Sequence, residues 1–338
     1  MPIIDQNDPK QRARYESFVK NSPYGRPTQS LAWAQVKNNW TCDEVTLEVQ
    51  GEIQASLSLI GISNDQVHSF LYAPRGPVCD PKDPALVRAL LQEARPVIEK
   101  RKAFLVRMDP EVPYEPALVQ AYQKEGFFVR TRGIDEHAFS NPRQNMILSL
   151  PGKNLEEIIG QMPARQRTKV RKTYRDGLQT AYVRKDAPNY EDLLDRFYAL
   201  TEIMAARQKI GHRPRAYFDR VLKSFDDARL YYTWDGEGEI LSMCLVIFYN
   251  RKAFYLYAAS SNEKRSLNPS LQMNVEVIRD ALEAGMEEYD MGGIFVKDMK
   301  SGLYHFKREL IGEESYREFL GEIDFVLDQD LYEDFLRR

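Results

Sequence analysis

The tripeptide Gly51-Glu52-Ile53 returns in the second half of the chain as Gly238-Glu239-Ile240, and two further pieces of sequence return in the same order. These are Tyr72-Ala73 with Tyr257-Ala258, and Pro84 with Pro269, each proline standing before a helical pattern. The offset between the matching pieces is nearly constant. Three ordered matches of this kind predict that the chain contains two copies of one structural unit.

The hydrophobic pattern around these matches has the same order of elements in both halves. In the first half it predicts strands over Val45–Val49, Ile53–Leu59 and Phe70–Ala73, a helix over Pro84–Lys100 and a strand over Phe104–Met108. In the second half it predicts strands over Leu230–Trp234, Ile240–Phe248 and Phe254–Ala258, a helix from Pro269 to Gly285 and a strand over Glu288–Met291. The predicted class is therefore α+β, and this order of hairpin, helix and split sheet is typical of small-molecule N-acyltransferases.

The division between the two copies is predicted near Leu150-Pro151-Gly152, a cluster that breaks regular structure after a predicted strand over Met146–Leu150. The C-terminal segment has no counterpart at the end of the first copy, so we expect it to fold back onto the first domain. The two predicted domains are residues 1–148 with 318–338, and residues 149–317.

Composition excludes several classes of protein. The 338 residues include 47 basic and 50 acidic side chains, so any nucleic-acid contact must come from a local patch. The sequence has no GxxxxGK[ST], GxGxxG, HExxH or GxSxG motif, and its histidines and cysteines are scattered, so no cofactor and no metal are predicted. No apolar run approaches the ~20 residues of a membrane span. The first residues lack a signal-peptide pattern, and the expectation is a cytoplasmic protein.

One segment concentrates positive charge. Six basic side chains fall within residues 165–175 without an acidic one: Arg165, Arg167, Lys169, Arg171, Lys172 and Arg175. On a helix these form two rows, with Val170 and Tyr174 as the apolar residues that seat it and Gly177 at its end. A solvated helix face is one interpretation. A phosphate-contacting surface is the interpretation we favour, because the rest of the chain is neutral to acidic.

Three stretches carry a resemblance to a known family. They are Ser22-Pro23-Tyr24-Gly25 with QSLAWAQVKNNW at 29–40, Gly211-His212-Arg213-Pro214-Arg215-Ala216-Tyr217-Phe218, and Tyr289-Asp290-Met291-Gly292-Gly293-Ile294 with Leu303-Tyr304-His305-Phe306-Lys307. Through them, and over essentially its whole length, the chain resembles the Fem family of aminoacyl-tRNA-dependent peptidyltransferases, which build the cross-bridge of bacterial peptidoglycan. The third stretch with its spacing is the most specific part of the resemblance.

The resemblance implies two acetyltransferase-like (GNAT-like) domains without the long helical arm that many relatives carry. It implies acyl transfer from the 3′ ester of aminoacyl-tRNA to the side-chain amine at position three of UDP-MurNAc-pentapeptide, with the basic helix on the tRNA side. An aminoacyl ester is already activated, so the reaction requires no metal, ATP or covalent enzyme intermediate. The most similar members add the first cross-bridge residue to a soluble precursor. We therefore expect alanine first and serine second as the transferred residue, and a monomeric enzyme.

Three residues resemble the reaction centre of the family. Lys307 resembles a lysine whose ammonium would stabilise the tetrahedral oxyanion or the leaving ribose oxygen. Phe306 would shape the site of the RNA terminus, and Asp109 would orient the acceptor amine or accept its proton. Each residue has a plainer alternative: a surface lysine, a core phenylalanine and an Asp-Pro turn residue.

Five residues resemble the family's precursor-binding set: Lys37, Phe104, Arg213, Tyr217 and Tyr257. Lys37 and Arg213 would hold the diphosphate of the UDP-sugar, as a mobile point charge and a planar fork. The two tyrosines would line the precursor groove, and Phe104 would pack against the uracil or the sugar. The alternatives are two surface charges and, for Tyr257, core packing.

Three other functions stay open. An acetyl-CoA-dependent enzyme is the first, although neither half has the [QR]xxGx[GA] turn that binds pyrophosphate at a helix N-terminus. A non-catalytic RNA-binding protein is the second, and it leaves Lys307 and the paired domains unexplained. A Fem-like ligase with another peptide acceptor is the third, and its donor-side motifs would look the same.

Overall fold

A computed structural model describes residues 2–133 and 138–337, and the chain divides into two compact units. Unit 1 comprises Met1–Arg143 and Glu318–Arg338, and unit 2 comprises Gln144–Arg317. One of the four scattered histidines, His137, lies outside the described residues. Each unit is built on one mixed sheet with helices packed against it.

The elements follow in chain order. The first segment of unit 1 holds α1 (Pro9–Asn21), α2 (Leu31–Val36), β1 (Thr41–Val49), β2 (Glu52–Ser63), β3 (Ser69–Ala73), α3 (Pro84–Glu93), α4 (Arg95–Lys100), β4 (Ala103–Met108), α5 (Pro116–Lys124) and β5 (Phe128–Arg130). Unit 2 and its border with unit 1 hold β6 (Gln144–Ser149), α6 (Leu155–Gln161), α7 (Ala164–Arg175), β7 (Gln179–Val183), α8 (Tyr190–Gln208), α9 (Arg215–Ser224), β8 (Ala228–Trp234), β9 (Ile240–Tyr249), β10 (Lys252–Ser260), α10 (Pro269–Glu283), β11 (Glu288–Ile294), α11 (Gly302–Ile311) and β12 (Tyr316–Glu318). The chain ends with β13 (Glu322–Val326) and α12 (Gln329–Arg337).

The sheet of unit 1 has the order β1-β2-β3-β4-β13-β5, with β3 and β4 parallel to each other. The predicted hairpin between β1 and β2 is confirmed. Its turn residues Gln50 and Gly51 have φ of 52° and 86°, the positive values that a tight hairpin of the favoured twist requires at both positions. Behind the sheet, α3 contributes Val87, Leu90 and Leu91 to the core.

The sheet of unit 2 has the order β12-β6-β11-β10-β9-β8-β7, with β10 and β11 parallel. Helix α10 covers one face through β7, β8 and β9, and α8 and α9 pack against β8, β9 and β10. The succession β8-β9-β10-β11 repeats β1-β2-β3-β4, including the single change from antiparallel to parallel neighbours. The predicted internal duplication is therefore present in the topology.

The two copies exchange their last strands. In unit 1 the strand between β4 and β5 is β13, from the end of the chain, whereas in unit 2 the strand between β11 and β12 is β6, from the end of the first copy. This explains a difference from the predicted division at 148/149. Because β6 pairs with β11, from Ser149 opposite Glu288 to Gln144 opposite Ile294, the structure divides the chain before residue 144.

The helix predicted over residues 84–100 is two helices, and this part of the prediction was wrong. Helix α3 ends at Glu93 and α4 begins at Arg95. Pro96 lies in the first turn of α4, where its missing N–H costs nothing, whereas inside one continuous helix it would remove a hydrogen bond. Both helices still contribute to one core, through Leu90 of α3 and Val97 of α4.

The predicted lack of a long helical arm agrees with the described residues, where α8, with 19 residues, is the longest helix. In that same part of the chain, no helix combines the length and apolarity that crossing a membrane demands.

Candidate active site

Lys307 lies on α11, whose first turn is capped by the Ser301 hydroxyl. Its side chain is only 5% exposed, and Nζ donates a hydrogen bond of 2.8 Å to the Gly293 carbonyl oxygen. Burial lowers the pKa of Lys307 to about 8, and the negative charge of Asp290 acts in the opposite direction. An amine with this pKa can hold or release a proton near neutral pH, which is unusual for a lysine.

The backbone of Gly292 and Gly293 in β11 lies beside the Lys307 amine. Pairing of β11 with β6 is irregular between Asp290 and Gly293, and Gly292 there has a φ of 77°. A Cβ on Gly292 would lie 4.0 Å from Lys307 Nζ and 3.9 Å from the Tyr255 carbonyl oxygen. Glycine therefore lets the chain adopt the turn and lets the lysine approach it closely.

Asp109 lies in unit 1, just beyond the end of β4 in the parallel β3/β4 pair. Its buried carboxylate accepts hydrogen bonds from the Tyr72 hydroxyl at 2.6 Å, the Arg75 N–H at 2.6 Å and the Asn141 N–H at 2.6 Å. Burial raises the pKa of Asp109, and these donors act against that increase. An acceptor amine would have to compete with three residues for its oxygens.

Three predicted precursor-binding residues come together in unit 2. The Tyr257 hydroxyl donates to the Tyr217 hydroxyl at 3.0 Å, and the Arg213 guanidinium hydrogen-bonds Tyr257 and lies 5.4 Å from the centre of the Tyr217 ring. Burial raises the pKa of both tyrosines, so their hydroxyls stay protonated. Arg220, which sequence reasoning missed, lies 5.9 Å from the same Tyr217 ring. In the sequence Arg220 follows Tyr217 by three residues, a spacing that places two side chains on the same face of a helix, and this was the signal that could have identified it.

Lys37 and Phe104 lie in unit 1. Lys37 is 8% exposed, and its Nζ lies 4.5 Å from the Trp40 ring centre and 5.5 Å from that of Trp33, so the aromatic faces hold the cation. Phe104 is 1% exposed and packs edge-on against Phe335 of α12. A contact of Phe104 with a ligand does not fit this packing: it is a core residue between β4 and α12.

Phe306 precedes Lys307 on α11 and packs, partly buried, against the hydrophobic core of unit 2. Its part-exposed ring leaves surface beside Lys307, and core packing and contact with a ligand are compatible at this position.

The predicted basic helix is α7, and its six cations have different surroundings. Three arginines are exposed, and we call them the arginine trio: Arg165, Arg171 and Arg175. Arg167 instead donates to the carbonyl oxygens of Gly160 and Met162 at 3.2 and 2.7 Å. Lys172 pairs with Asp176 at 2.9 Å, and Lys169 is partly buried.

Tyr174 was predicted to seat α7 in the core, and this was wrong. It is 41% exposed, and its hydroxyl bonds Glu276 on α10, whereas Val170, Gln166 and Thr173 form the buried side of the helix. Gly177 follows the end of α7 with a φ of 80°, as a C-terminal glycine does.

One acidic grouping in the described chain has the spacing of a metal site: Asp235, Glu237 and Glu239 in the β8–β9 turn. The Lys264 ammonium lies among their oxygens, at 2.6, 2.6 and 3.0 Å. This arrangement ties the turn to the segment after β10.

Comparison with known proteins shows which family this chain belongs to. The chain matches the FemAB family model over residues 11–234 and the acetyltransferase (GNAT) domain model over residues 164–308. It is 35% identical to the UDP-N-acetylmuramoylpentapeptide-lysine N(6)-alanyltransferase of Weissella viridescens, over 100% of both chains. It is 24% identical to the lipid II:glycine glycyltransferase of Staphylococcus haemolyticus (strain JCSC1435), over 94% of this chain and 92% of that protein.

Among solved structures, the crystal structure of FemX superposes with a TM-score of 0.84 at 23% identity, over 99% of this chain and 100% of that chain. This likeness concerns the fold, and together with the GNAT domain match it confirms the predicted pair of acetyltransferase-like domains. With a family model that matches most of its length and a full-length relative of 35% identity, the chain belongs to the FemAB family.

Proposed function

We propose that this protein is an aminoacyltransferase that moves one amino acid from aminoacyl-tRNA to the lysine side-chain amine of UDP-MurNAc-pentapeptide, the first step of peptidoglycan cross-bridge synthesis. The full-length relative named as an alanyltransferase for that lysine supports the acceptor, and favours alanine over serine as the transferred residue. The observation that carries the proposal is Lys307, a buried amine with a pKa of about 8 whose Nζ contacts the Gly293 carbonyl of β11.

The reaction forms a bond between the acceptor nitrogen and the ester carbonyl carbon, and breaks the bond from that carbon to the ribose 3′ oxygen. Negative charge develops on the carbonyl oxygen, and one proton passes from the amine to the leaving oxygen. A buried ammonium stabilises such a charge strongly because little water competes with it. Within the described chain, one of the three Lys307 N–H donors has an acceptor, the Gly293 carbonyl, which leaves two for the substrate.

The acceptor side is assigned to the residues that the sequence predicts for it. Lys37 and Arg213 would bind the diphosphate, and the Tyr217–Tyr257 pair would line the groove beside Arg213. The joined hydroxyls of the two tyrosines support this because they form a preorganised polar edge. For Asp109 we favour orientation of the amine over acceptance of its proton, because its oxygens already accept three protein hydrogen bonds at 2.6 Å.

The donor side is assigned to unit 2. The arginine trio on α7 would contact tRNA phosphates, which position an RNA without reading its sequence. Phe306 would pack against the terminal adenosine, next to Lys307. The reaction needs one copy of the chain, so we expect a monomer, working in the cytoplasm where charged tRNA is found.

A Fem-like ligase with another peptide acceptor is the second candidate, because 24% identity over most of the chain also links it to a glycyltransferase that acts on lipid II. Both candidates share the donor side and differ in what binds near Lys37 and Arg213. A CoA-dependent acyltransferase is a third possibility that the experiment below includes, because the GNAT domain match covers residues 164–308.

The test mixes the purified protein with UDP-MurNAc-pentapeptide and tRNA charged with alanine, serine or glycine, and follows the precursor by mass spectrometry. We expect a gain of one alanyl residue, and none with a precursor whose third residue lacks a side-chain amine. Acetyl-CoA replaces tRNA in the third arm and should give no product. No transfer from any charged tRNA, despite precursor binding, would reject the proposed acceptor in favour of the second candidate.

A further inference from the structure

We propose that Asp290 is a positioning residue for the reactive lysine: it fixes the Gly292-Gly293 turn that receives the Lys307 side chain, and its negative charge favours the ammonium form of that lysine. The inference rests on the proposed function in treating Lys307 as the reactive group. Sequence reasoning quoted Asp290 within a family stretch and gave it no role.

The first contribution of Asp290 is to the shape of the backbone. Its carboxylate accepts a hydrogen bond of 2.7 Å from the Gly292 N–H, inside the irregular part of β11. The donor, Gly292, is itself the residue whose φ of 77° is available chiefly to glycine. The next carbonyl along the chain, that of Gly293, is the one that Lys307 Nζ reaches at 2.8 Å. The carboxylate therefore holds the turn that holds the lysine.

The second contribution is charge. Asp290 is 6% exposed, so its charge is little screened by water, and it raises the pKa of Lys307 against the larger effect of burial. Lys252 Nζ lies 3.9 Å from one Asp290 oxygen but 2.7 Å from a Glu288 oxygen. Of these two carboxylates, Glu288 is therefore the one nearer to Lys252.

Charged and titratable groups on the neighbouring elements include Glu288, Tyr289 and Asp290 on β11, Lys252 and Tyr255 on β10, and Glu313 and Glu314 just after α11. Glu313 is engaged by Lys297 at 3.3 Å and by Arg308 at 3.2 Å. Burial raises the pKa of Tyr255, which stays neutral. Strand β6, which packs against α11, has no ionisable residue between Gln144 and Ser149. Asp290 is thus the acidic group whose charge acts on Lys307.

The first experiment measures Lys307 itself, without turnover. Lysine side chains are labelled with ¹³C at Cε, the Lys307 signal is assigned through Lys307→Arg, and its titration is followed by NMR. Asp290→Asn keeps an oxygen that can accept the Gly292 N–H but removes the charge. We expect the Lys307 midpoint to fall by roughly one pH unit. Asp280→Asn is the matched control. Asp280 lies on α10, where its carboxylate accepts a hydrogen bond of 2.6 Å from the Tyr231 hydroxyl, and its replacement should leave the Lys307 midpoint unchanged.

The second experiment separates the charge from the turn by transferase kinetics. With the midpoint lowered by one unit from about 8, the ammonium fraction at pH 8 falls from about a half to about a tenth, so kcat of Asp290→Asn should fall roughly fivefold. At pH 6 both proteins keep the ammonium and their kcat values should agree. Asp290→Ala also lacks the bond to Gly292, so its kcat should stay reduced at pH 6.

An unchanged Lys307 midpoint in Asp290→Asn would overturn the electrostatic role, whatever the kinetics give. Equal kcat of Asp290→Ala and Asp290→Asn at pH 6 would overturn the role in the turn. If no charged tRNA supports transfer, the proposed function fails while the NMR titration still decides on Asp290. The Asn variant is isosteric with aspartate, so the titration does not depend on whether Asp290→Ala folds.

Discussion

Replacing Lys307 by methionine should abolish transfer and, at neutral pH, make the protein more stable. The physical reason is the cost of burying a charged amine. In the unfolded chain the ammonium is hydrated, whereas in the fold it is 5% exposed and burial lowers its pKa. Methionine has a similar length and no charge, so it fills the same space without that cost.

The size of the effect follows from the pKa. It falls from an ordinary 10.5 to about 8, and at about 1.4 kcal/mol for each pH unit the folded ammonium costs about 3 kcal/mol at pH 7. The variant loses the hydrogen bond from Nζ to the Gly293 carbonyl, worth about 1 kcal/mol. The expected gain in the free energy of unfolding at pH 7 is therefore about 2 kcal/mol.

The gain must depend on pH in a defined direction. Between pH 8 and 10.5 the unfolded lysine still binds its proton while the folded one has released it, so the wild type becomes more stable as pH rises through this window. At pH 9.5 the remaining cost is about 1.4 kcal/mol, close to the value of the hydrogen bond that the variant lacks. The two proteins should then be almost equally stable.

Urea unfolding of wild type and Lys307→Met at pH 7 and pH 9.5 measures the stability difference and its dependence on pH. Lys300→Met serves as the control because Lys300 is exposed in the segment before α11, and its replacement should change stability by at most about 0.5 kcal/mol at either pH. Calorimetry should show unchanged binding of the UDP precursor to Lys307→Met. A variant that is less stable than wild type at pH 7, or whose advantage is the same at both pH values, would refute the reasoning.

Two further predictions concern substrate binding. Lys37→Met or Arg213→Met should weaken binding of UDP-MurNAc-pentapeptide about tenfold or more, because each removes one charge from the diphosphate site, and unchanged affinity by calorimetry would reject that assignment. Neutralising the arginine trio together should weaken tRNA binding and reduce the slope of log affinity against log salt by about two to three, roughly one for each phosphate that the protein no longer neutralises. Arg167→Gln is the control, because this side chain binds two carbonyl oxygens before α7 and should leave the salt slope unchanged.

The sequence contained enough to predict the duplication, because hairpin turns and helix starts are local features. The turn at Gln50-Gly51 and the proline at the start of α10 each belong to a few consecutive residues. The missing counterpart of the C-terminal segment was enough to expect residues 318–338, which carry β13, in the first domain, but the pairing of β6 with β11 could not be predicted in the same way. A strand's own pattern determines which side chains are apolar, but not which sheet edge it joins, and that choice is made by contacts distant in sequence.

The site residues divide along a similar line. Lys307, Arg213 and Tyr217 lie in the short stretches that carry the family resemblance, whereas Tyr257 was predicted by resemblance outside them. Arg213, Tyr217 and Tyr257 do contact one another. Phe104 was misplaced because every residue of β4 is buried, so the alternation that distinguishes the two faces of a strand is missing there. Nothing local indicated that Asn141 donates to Asp109, since its segment has no regular pattern.

The duplication gives each unit one parallel strand pair, and a buried ionisable group of a different kind lies near each pair: Asp109 directly after β4, and Lys307 on α11 with Nζ at the Gly293 carbonyl of β11. In unit 1 the carboxylate of Asp109 accepts hydrogen bonds from Tyr72, Arg75 and Asn141, which fixes its geometry. Among the described residues of unit 2, the Lys307 ammonium has one hydrogen-bond acceptor, the Gly293 carbonyl, and it lies close to the turn at Gly292. A group whose bonds are filled is suited to orient a substrate, whereas a buried group with donors to spare is suited to stabilise charge that appears during a reaction. This difference is why we assign positioning to unit 1 and chemistry to unit 2.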